Sequence, residues 1–236
     1  SLMIVSQDHS IWAEYGPKEV VLDKATVGSR YALLLIRTFL DPNDEEDVKG
    51  AHALQDAITV KQADKGTFED PGWKKEEVEA MREKINVVAV AVPDSTKCFG
   101  RKDDLDPIYW LLGAAYGWGG LPVQDSAYTG GVTEKNDGKT PYTLTVKDVP
   151  VDAFWSVTVY DDKGMFIVND QDAYSYNSVT AKKNEDGSAA IHFGGDPGQD
   201  NFLPIVPGWN YIVRMYRPRK EIIDGTWKFP EPVEVK

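Results

Sequence analysis

Residues 140–160, TPYTLTVKDVPVDAFWSVTVY, carry the clearest alternation of apolar and polar side chains in the chain. Side chains two positions apart on a strand point to the same face of a sheet. The apolar residues that would share a face are Tyr142, Leu144 and Val146 before the turn at 148–152, and Trp155, Val157 and Val159 after it. The stretch therefore predicts an antiparallel pair of strands with one buried face, the beginning of a β-sandwich.

Working outward from this pair, further short runs of β-branched and aromatic residues stand between Gly, Pro and Asp turns. The predicted strands are 3–6, 11–15, 20–23 and 30–40 before the pair, and 165–168, 179–181, 189–193 and 211–216 after it. Both faces of 30–40 are apolar, so we expect both to be covered. About six to eight short strands after residue 121 favour a sandwich of jelly-roll type.

Helical patterns lie between the two groups of strands. Acidic residues after Asp44 predict a helix over 45–59, and further helices are predicted over 74–92, ended by Pro93, and over 105–116. The expected core-facing residues are Val48, Ala51, Leu54, Gln55 and Ile58 in the first of these helices, and Ile108, Leu111, Leu112 and Ala115 in the third. The fold class is thus mainly β with a helical segment (α+β), divided into N-terminal strands (1–44), helices (45–120) and a jelly-roll-like sandwich (121–236). Isolated helices of this length are not stable alone, so we expect them to pack on the sandwich.

Composition excludes several classes of function. The formal net charge of −12 in 236 residues disfavours contact with nucleic acid or an anionic membrane, because both need a basic surface. The single cysteine, Cys98, rules out an intramolecular disulfide and a multi-cysteine metal site. The start, SLMIVSQDHS, lacks a secretory pattern. We therefore expect a soluble protein of the cytoplasm or periplasm, with no nucleic-acid and no membrane partner.

Motifs for bound metals and cofactors are weak. The histidines, His9, His52 and His192, are scattered, and a zinc site needs several imidazoles around one point, so we expect no metal. His192 alternates with Ile191 and Phe193, which predicts a surface or hydrogen-bonded strand histidine. Acidic loops could hold calcium, but none follows the EF-hand order. No phosphate loop, dinucleotide fingerprint or nucleophile elbow is present, so we expect no cofactor.

One group of aromatic, amide and basic residues could line a polar ligand pocket. The candidate ligand-binding residues are Tyr160, Tyr174, Asn177, Arg214 and Tyr216. Arg214 alternates with Tyr211, Val213 and Met215, so it should lie on the opposite face of its strand. A covered guanidinium needs a partner, either an internal carboxylate or an anionic group of a ligand, and the acidic composition favours the carboxylate. The alternative is that these residues are purely structural.

Several stretches of the chain resemble a bacterial family, the domain of unknown function 1214 family. The matching stretches are HALQDAI (52–58), AAYGWGG (114–120), residues 140–160, NDQDAYSYNSVTAKKNEDGS (169–188), IHFGG (191–195) and LPIVPGWNYIVRMYRPRKEIIDGTWKFP (203–230). Residues 3–110 resemble the later part of its usual companion, the domain of unknown function 1254 family. The resemblance implies a jelly-roll domain beside a helical segment. It implies no agreed catalytic residues, so whether the protein is an enzyme stays open.

Two hypotheses of function follow from the sequence. In the first, the protein binds, and in a stronger form also transforms, a small polar or carbohydrate-like ligand in a cleft between sandwich and helices. In the second, it is a non-enzymatic structural module that assembles into a homo-oligomer. A pocket with converging Tyr, Asn and Arg side chains favours the first, and a filled interior with a large self-complementary apolar surface favours the second.

Overall fold

The computed structural model describes residues 1–89, 91 and 95–236. These residues form two compact units, Ser1–Pro122 and Val123–Lys236. The end of the predicted second helix, with Val92 and the Pro93 stop, lies outside the described residues.

The first unit contains a three-stranded antiparallel sheet of β1 (Leu2–Ser6), β2 (Ile11–Glu14) and β3 (Ala32–Ile36), with β1 in the centre. The central strand is buried on both faces. Met3 and Val5 pack with Ile11 and Leu121 on one side, while Ile4 packs with Trp12 and Val27 on the other. The prediction that 30–40 is covered on both faces is wrong, because β3 is an edge strand and Leu33, Leu34 and Ile36 are 45%, 39% and 46% exposed.

Aspartate side chains cap the first turns of three α-helices of the first unit. The helices of this unit are α1 (Lys24–Val27), α2 (Glu45–Asp56), α3 (Lys75–Ala89) and α4 (Pro107–Tyr116), with 3-10 turns at Ser95–Cys98 and Lys102–Asp104. The Asp44 carboxylate accepts from the amides of Glu46 and Asp47, as the sequence predicts for an N-cap. Residues 20–23 are not a strand, because Asp23 forms a capping box with Thr26 at the start of α1.

The apolar stripes of the helices are buried only in part. In α2 only Ala51 is buried, whereas Leu54 and Ile58 remain exposed. In α4, Leu112 and Ala115 are buried as predicted. The predictions for Leu54, Ile58, Ile108 and Leu111 are wrong, because helical periodicity selects a face but not how much of that face a neighbouring element covers.

His9 is a buried histidine in the first unit. Its side chain is 6% exposed, and its Nε2 atom accepts a hydrogen bond of 2.9 Å from the Gly119 amide, which requires the neutral ring. Burial lowers the pKa of His9, and the neighbouring Asp8 only partly opposes this effect. The unfolded chain therefore binds more protons than the folded chain as the pH falls through about 6.5.

We expect the free energy of unfolding of the first unit to be lower at pH 5.5 than at pH 7.5. The variant His9→Gln should remove much of this difference, because its side-chain amide oxygen reaches the position of Nε2, can accept from Gly119 and does not titrate. Urea unfolding at both pH values, together with a side-chain NMR titration of His9, makes the measurement. A His9 pKa at or above 6.5 would contradict the prediction.

The second unit contains two four-stranded sheets. The first sheet has the order β4 (Ser126–Gly131), β10 (Asn210–Tyr216), β6 (Trp155–Tyr160) and β7 (Ser175–Asn177). The second has the order β11 (Val233–Glu234), β5 (Tyr142–Val146), β8 (Ala189–Phe193) and β9 (Phe202–Leu203). A short helix, α5 (Lys220–Ile223), follows β10. The strands of both sheets pair antiparallel, except for the parallel pair of β8 and β9.

The two sheets pack face to face over one core. Leu144, Ile191 and Val157 are fully buried within a single cluster that draws on both sheets. Aromatic rings cross between the sheets, since the ring of Phe193 lies 5.0 Å from that of Trp209 and 5.6 Å from that of Tyr211. The second unit is therefore a β-sandwich whose interior is filled by side chains.

The prediction that residues 140–160 pair with one another is wrong. β5 pairs with β8 and β11, whereas β6 pairs with β10 and β7, so the two strands lie in different sheets. The alternating apolar residues are all buried as predicted, but they face each other across the core. Alternation fixes which face is buried and leaves the strand partner open. The connection of 147–154 is also longer than the two-residue turns that favour hairpins.

Two further predicted strands of the second unit are irregular or turns. Residues 165–168 form no strand, and Met165, Phe166 and Val168 are 64%, 56% and 90% exposed. Residues 179–181 form a turn, because the Asn177 carboxamide accepts from the amides of Val179 and Thr180. The predicted strands at 189–193 and 211–216 are present as β8 and β10.

Candidate functional site

The alternation of β10 places Arg214 on the outer face of the sheet formed by β4, β10, β6 and β7. Tyr211, Val213 and Met215 are buried in the core, whereas Arg214 and its outward neighbours are half-buried. Across the sheet, Arg214 lies opposite Ser156 of β6 and Tyr128 of β4. The predicted direction of the Arg214 side chain is thus confirmed by its strand.

Two hydroxyl groups hold the Arg214 guanidinium. Its Nη2 atom donates to the Tyr160 hydroxyl at 2.9 Å, and its Nη1 atom donates to Thr158 Oγ1 at 3.3 Å. The guanidinium also lies 5.9 Å from the centre of the Tyr160 ring. Thr158 continues the chain of hydroxyls, because its Oγ1 lies 3.0 Å from Ser175 Oγ, which donates to the Val157 carbonyl. Arg214 therefore sits at the end of a row of neutral hydroxyls.

The expected internal carboxylate for Arg214 is absent from the part of the chain that the structure describes. No Asp or Glu oxygen there lies within 4.0 Å of its guanidinium, because the facing positions on both neighbouring strands are occupied by Ser156 and Tyr128. A guanidinium carries five N–H donors, and hydrogen bonds to the described residues engage two of them. About three donors are thus available to a bound group.

Aromatic rings flank the guanidinium on the side of Tyr160. The Phe166 ring stacks on the Tyr160 ring at 5.5 Å with an interplanar angle of 12°, and it lies 5.3 Å from the Tyr174 ring. The Tyr174 hydroxyl donates to the Asp172 carboxylate at 3.3 Å. Desolvation and then Asp172 raise the pKa of Tyr174, so its hydroxyl stays protonated at neutral pH. Phe166 is more than half exposed and offers an apolar surface beside these polar groups.

The structure places Asn177 and Tyr216 further from the guanidinium. Asn177 lies opposite Ser156, and therefore one strand beyond Arg214 in the same row, but its carboxamide oxygen already accepts two backbone amides. The Tyr216 ring stacks on Phe154 at 4.4 Å, two positions along β10 from Arg214. Of the five predicted residues, Tyr160 and Arg214 are in direct contact, and Tyr174 joins them through Phe166.

The sequence analysis did not identify Thr158, Ser175 and Phe166. The outward-facing Thr158 could have been found from the alternation of β6, because Ser156, Thr158 and Tyr160 share a face. Phe166 could not, since it stands in a loop that the sequence pattern assigned to a strand.

Metal binding finds no support in the geometry. Within residues 1–89, 91 and 95–236, no group of three or more His, Cys, Asp or Glu side chains is arranged to hold a metal ion. His192 instead pairs across the second sheet, where its Nδ1 atom lies 3.1 Å from Thr143 Oγ1. His192 is therefore a hydrogen-bonded strand histidine, as predicted. Among the helices of the described chain, none combines the length and the apolar character needed to cross a membrane.

Comparison with known protein families shows a match in the second unit. Residues 124–220 match the family described as "Protein of unknown function (DUF1214)". This match covers most of the β-sandwich unit and includes Tyr160, Tyr174, Asn177, Arg214 and Tyr216. None of the curated proteins matches the chain.

Two solved structures are similar to the chain. The VPA0106 protein from Vibrio parahaemolyticus is 25% identical with a TM-score of 0.54, and the match covers 90% of this chain and 61% of that protein. An uncharacterized protein from Burkholderia cenocepacia is 18% identical with a TM-score of 0.39, covering 50% of this chain and 31% of that protein. The chain thus spans about three fifths of the length of the Vibrio protein, with which it shares its fold.

Proposed function

We propose that the second unit is a jelly-roll-like sandwich that binds a small, carbohydrate-like ligand bearing a carboxylate on the outer sheet face around Arg214. One observation carries the proposal. The guanidinium of Arg214 is half-buried and bonded to neutral hydroxyls in a chain whose net charge is −12. In such an acidic protein, internal carboxylates are the commonest partners for an arginine, so an arginine without one is suited to an external anion.

The groups around Arg214 fit the other parts of such a ligand. The Tyr160 hydroxyl accepts from Arg214 and can still donate its hydrogen to a sugar hydroxyl, and the exposed Ser175 oxygen can accept from one. Thr158 is buried and holds the guanidinium in place. The exposed Phe166 ring can pack against the apolar face of a sugar ring. Because these groups are hydroxyls and aromatic rings, they suit recognition better than acid–base chemistry, and we assign no residue to a chemical step. The placement of this face in a cleft beside the helices stays a prediction, as does the relation of residues 3–110 to the companion family.

We expect Arg214→Lys to weaken the binding of glucuronate by at least about tenfold while the fold is kept. Charge-assisted hydrogen bonds contribute roughly 1.5–3 kcal/mol, and an ammonium cannot reproduce the planar fork that reads a carboxylate with two bonds. Isothermal titration calorimetry of the full chain with glucuronate, and with glucose as the uncharged comparison, provides the measurement.

Arg219→Lys is the matched control for this experiment. Arg219 is exposed, and its Nε atom donates to the Asp152 carboxylate at 2.7 Å, so it already has an acidic partner. The control should bind glucuronate as the parent does. Equal affinities of the parent and Arg214→Lys for glucuronate would contradict the proposal, as would equal affinities of the parent for glucuronate and glucose.

The assembly module remains the second candidate because of one observation in the first unit. β3 is an edge strand with Leu33, Leu34 and Ile36 exposed, and such an edge can add a strand from another chain. Sedimentation velocity on the full chain separates the candidates. A monomer that binds glucuronate supports the first, whereas an oligomer that dissociates on Leu34→Lys and binds no glucuronate supports the second.

A further inference from the structure

A polar groove lies on the outer face of the sheet formed by β5, β8, β9 and β11, away from the strand of Arg214. The groove has a volume of about 380 Å³, and it is formed by the turn after residue 181, the outward residues of β8 and the loop at 198–201. The charged and hydrogen-bonding residues of its lining include Lys182, Lys183, Asn184, His192, Gln199 and Asp200. A volume of this size equals that of roughly a dozen water molecules, and it falls within the range of small-molecule sites.

Asn201 fixes the walls of the groove. Its side chain is 6% exposed, and its Nδ2 atom donates to the carbonyls of Lys182 and Ala190, at 2.9 Å each. Its Oδ1 atom accepts from the Lys182 amide at 2.7 Å. Asn201 thereby joins the loop to both the turn and β8, and its φ of 52° is one that Asn adopts readily. The groove is thus formed before any ligand arrives.

The charge of the groove is opposite in sign to that of the whole protein. Two lysines and one aspartate line it, so its formal charge is +1 with His192 neutral, in a chain of −12. Lys182 Nζ lies 2.7 Å from Asp200 Oδ2, which neutralises that carboxylate. No carboxylate of the described residues lies within 4.0 Å of Lys183 Nζ. Lys183 is therefore the lysine of the groove lining that has no carboxylate partner among the described residues.

His192 adds a group that can accept a proton to the lining of the same groove. Its ring is held by the Thr143 hydroxyl, 3.1 Å from Nδ1. Burial lowers the pKa of His192, with Asp200 opposing the effect, so the ring is neutral in the empty groove at pH 7. The charged groups that line the groove with His192 are Lys182, Lys183 and Asp200. An anion with two negative charges would favour the protonated ring.

Two amide oxygens complete the lining. Asn184 Nδ2 donates to Ser188 Oγ at 2.9 Å, and Gln199 Nε2 donates to the Gly194 carbonyl at 3.0 Å. These bonds orient both carboxamides and use only their nitrogen atoms. The oxygen atoms of Asn184 and Gln199 can therefore accept hydrogen bonds from hydroxyl groups.

We propose that this groove binds a small phosphate monoester, with Lys183 and His192 at the phosphate and Asn184 and Gln199 at hydroxyls of the organic part. An ammonium group acts as a point charge toward phosphate, whereas the groove offers no guanidinium fork for a carboxylate. A phosphate monoester has a second pKa near 6, and its dianion matches an imidazole that can take up a proton. The site is independent of the one around Arg214.

The test uses the full chain and three probes: inorganic phosphate, glucose 6-phosphate and glucose. The chain has only three histidines, so the side-chain NMR signals of His192 can be assigned with the variant His192→Gln. We expect glucose 6-phosphate to shift the His192 signals and to raise its pKa, inorganic phosphate to do so more weakly, and glucose to have no effect. Sodium chloride at matched ionic strength should not reproduce the shift.

Lys183→Gln should weaken the binding of glucose 6-phosphate at least tenfold. The matched control is Lys139→Gln, an exposed lysine outside the groove with the same change of charge. Equal binding by the two variants would overturn the proposal, and so would His192 signals that do not respond to glucose 6-phosphate. Equal affinity for inorganic phosphate and glucose 6-phosphate would overturn the assignment of Asn184 and Gln199 to an organic part.

Discussion

Phe193→Ala should lower the free energy of unfolding of the second unit by about 3–5 kcal/mol. The Phe193 side chain is fully buried, and its ring lies 5.0 Å from Trp209 and 5.6 Å from Tyr211, which come from the facing part of the sandwich. Removing the ring deletes apolar contact area from both sheets and leaves a cavity, because rings of this size cannot shift to fill the space. Urea unfolding of the parent and the variant measures the difference.

Phe166→Ala is the control in the same unit. Phe166 is 56% exposed, so its truncation removes two ring contacts, with Tyr160 and Tyr174, and leaves no closed cavity. We expect a smaller loss than for Phe193→Ala, about 1–3 kcal/mol, because each of the two aromatic pairs contributes about 0.5–1.5 kcal/mol. Similar losses for the two variants would show that Phe193 does not hold the two sheets together.

Gly138→Ala should destabilise the second unit by roughly 2–5 kcal/mol, the sum of backbone strain and steric overlap. Gly138 has φ of 71°, and a Cβ atom there would lie 2.3 Å from the Pro207 nitrogen and 2.4 Å from the Val206 carbonyl carbon. Both contacts are to backbone, which cannot move aside as a flexible side chain can. The loop at 136–138 also approaches this segment through the hydrogen bond from the Gly208 amide to the Asn136 carbonyl.

Gly164→Ala separates the two contributions. Gly164 has φ of 75°, almost the same as Gly138, but nothing lies within 4 Å of the position of an added Cβ atom. The control should therefore show the backbone strain alone, about 1–2 kcal/mol. Thermal and urea unfolding of both variants measure the difference. If both variants lose the same stability, the close approach of Gly138 to Val206 and Pro207 has no energetic consequence.

The faces of the strands could be predicted from the sequence better than their partners could. Leu144 and Val157 are both fully buried, as their alternation indicates. They belong to different sheets, however, because Leu144 pairs with Ile191 and Val157 pairs with Val213. Pairing between strands far apart in the chain depends on how the whole sandwich closes, and a local pattern carries no signal for it.

The limits of helical periodicity appear in the first unit. The Asp44 cap and the start of α2 follow from the preference of Asp for accepting the exposed amides of a first turn. Leu54, on the predicted apolar stripe, is nevertheless 60% exposed. A hydrophobic stripe indicates which residues of a helix could be buried, and the packing of neighbouring elements determines which of them are buried.

The candidate site was partly accessible from sequence. The direction of the Arg214 side chain follows from the alternation of β10. The sequence also indicates the strand that carries Tyr160, but not its pairing with β10, which brings Tyr160 to Arg214. The sequence left two partners open for the guanidinium and favoured a carboxylate, but an acidic composition does not say which residues stand opposite Arg214. Ser156 and Tyr128 occupy those positions through a register that only the structure reveals.

The most direct test of the account is a crystal structure of the full chain soaked or grown with glucuronate. The account predicts the sugar carboxylate at 2.7–3.2 Å from the guanidinium nitrogens of Arg214, with the sugar ring on the side of Tyr160 and Phe166. Glucuronate bound elsewhere, or a sugar on this face with its carboxylate pointing away from Arg214, would contradict the central claim.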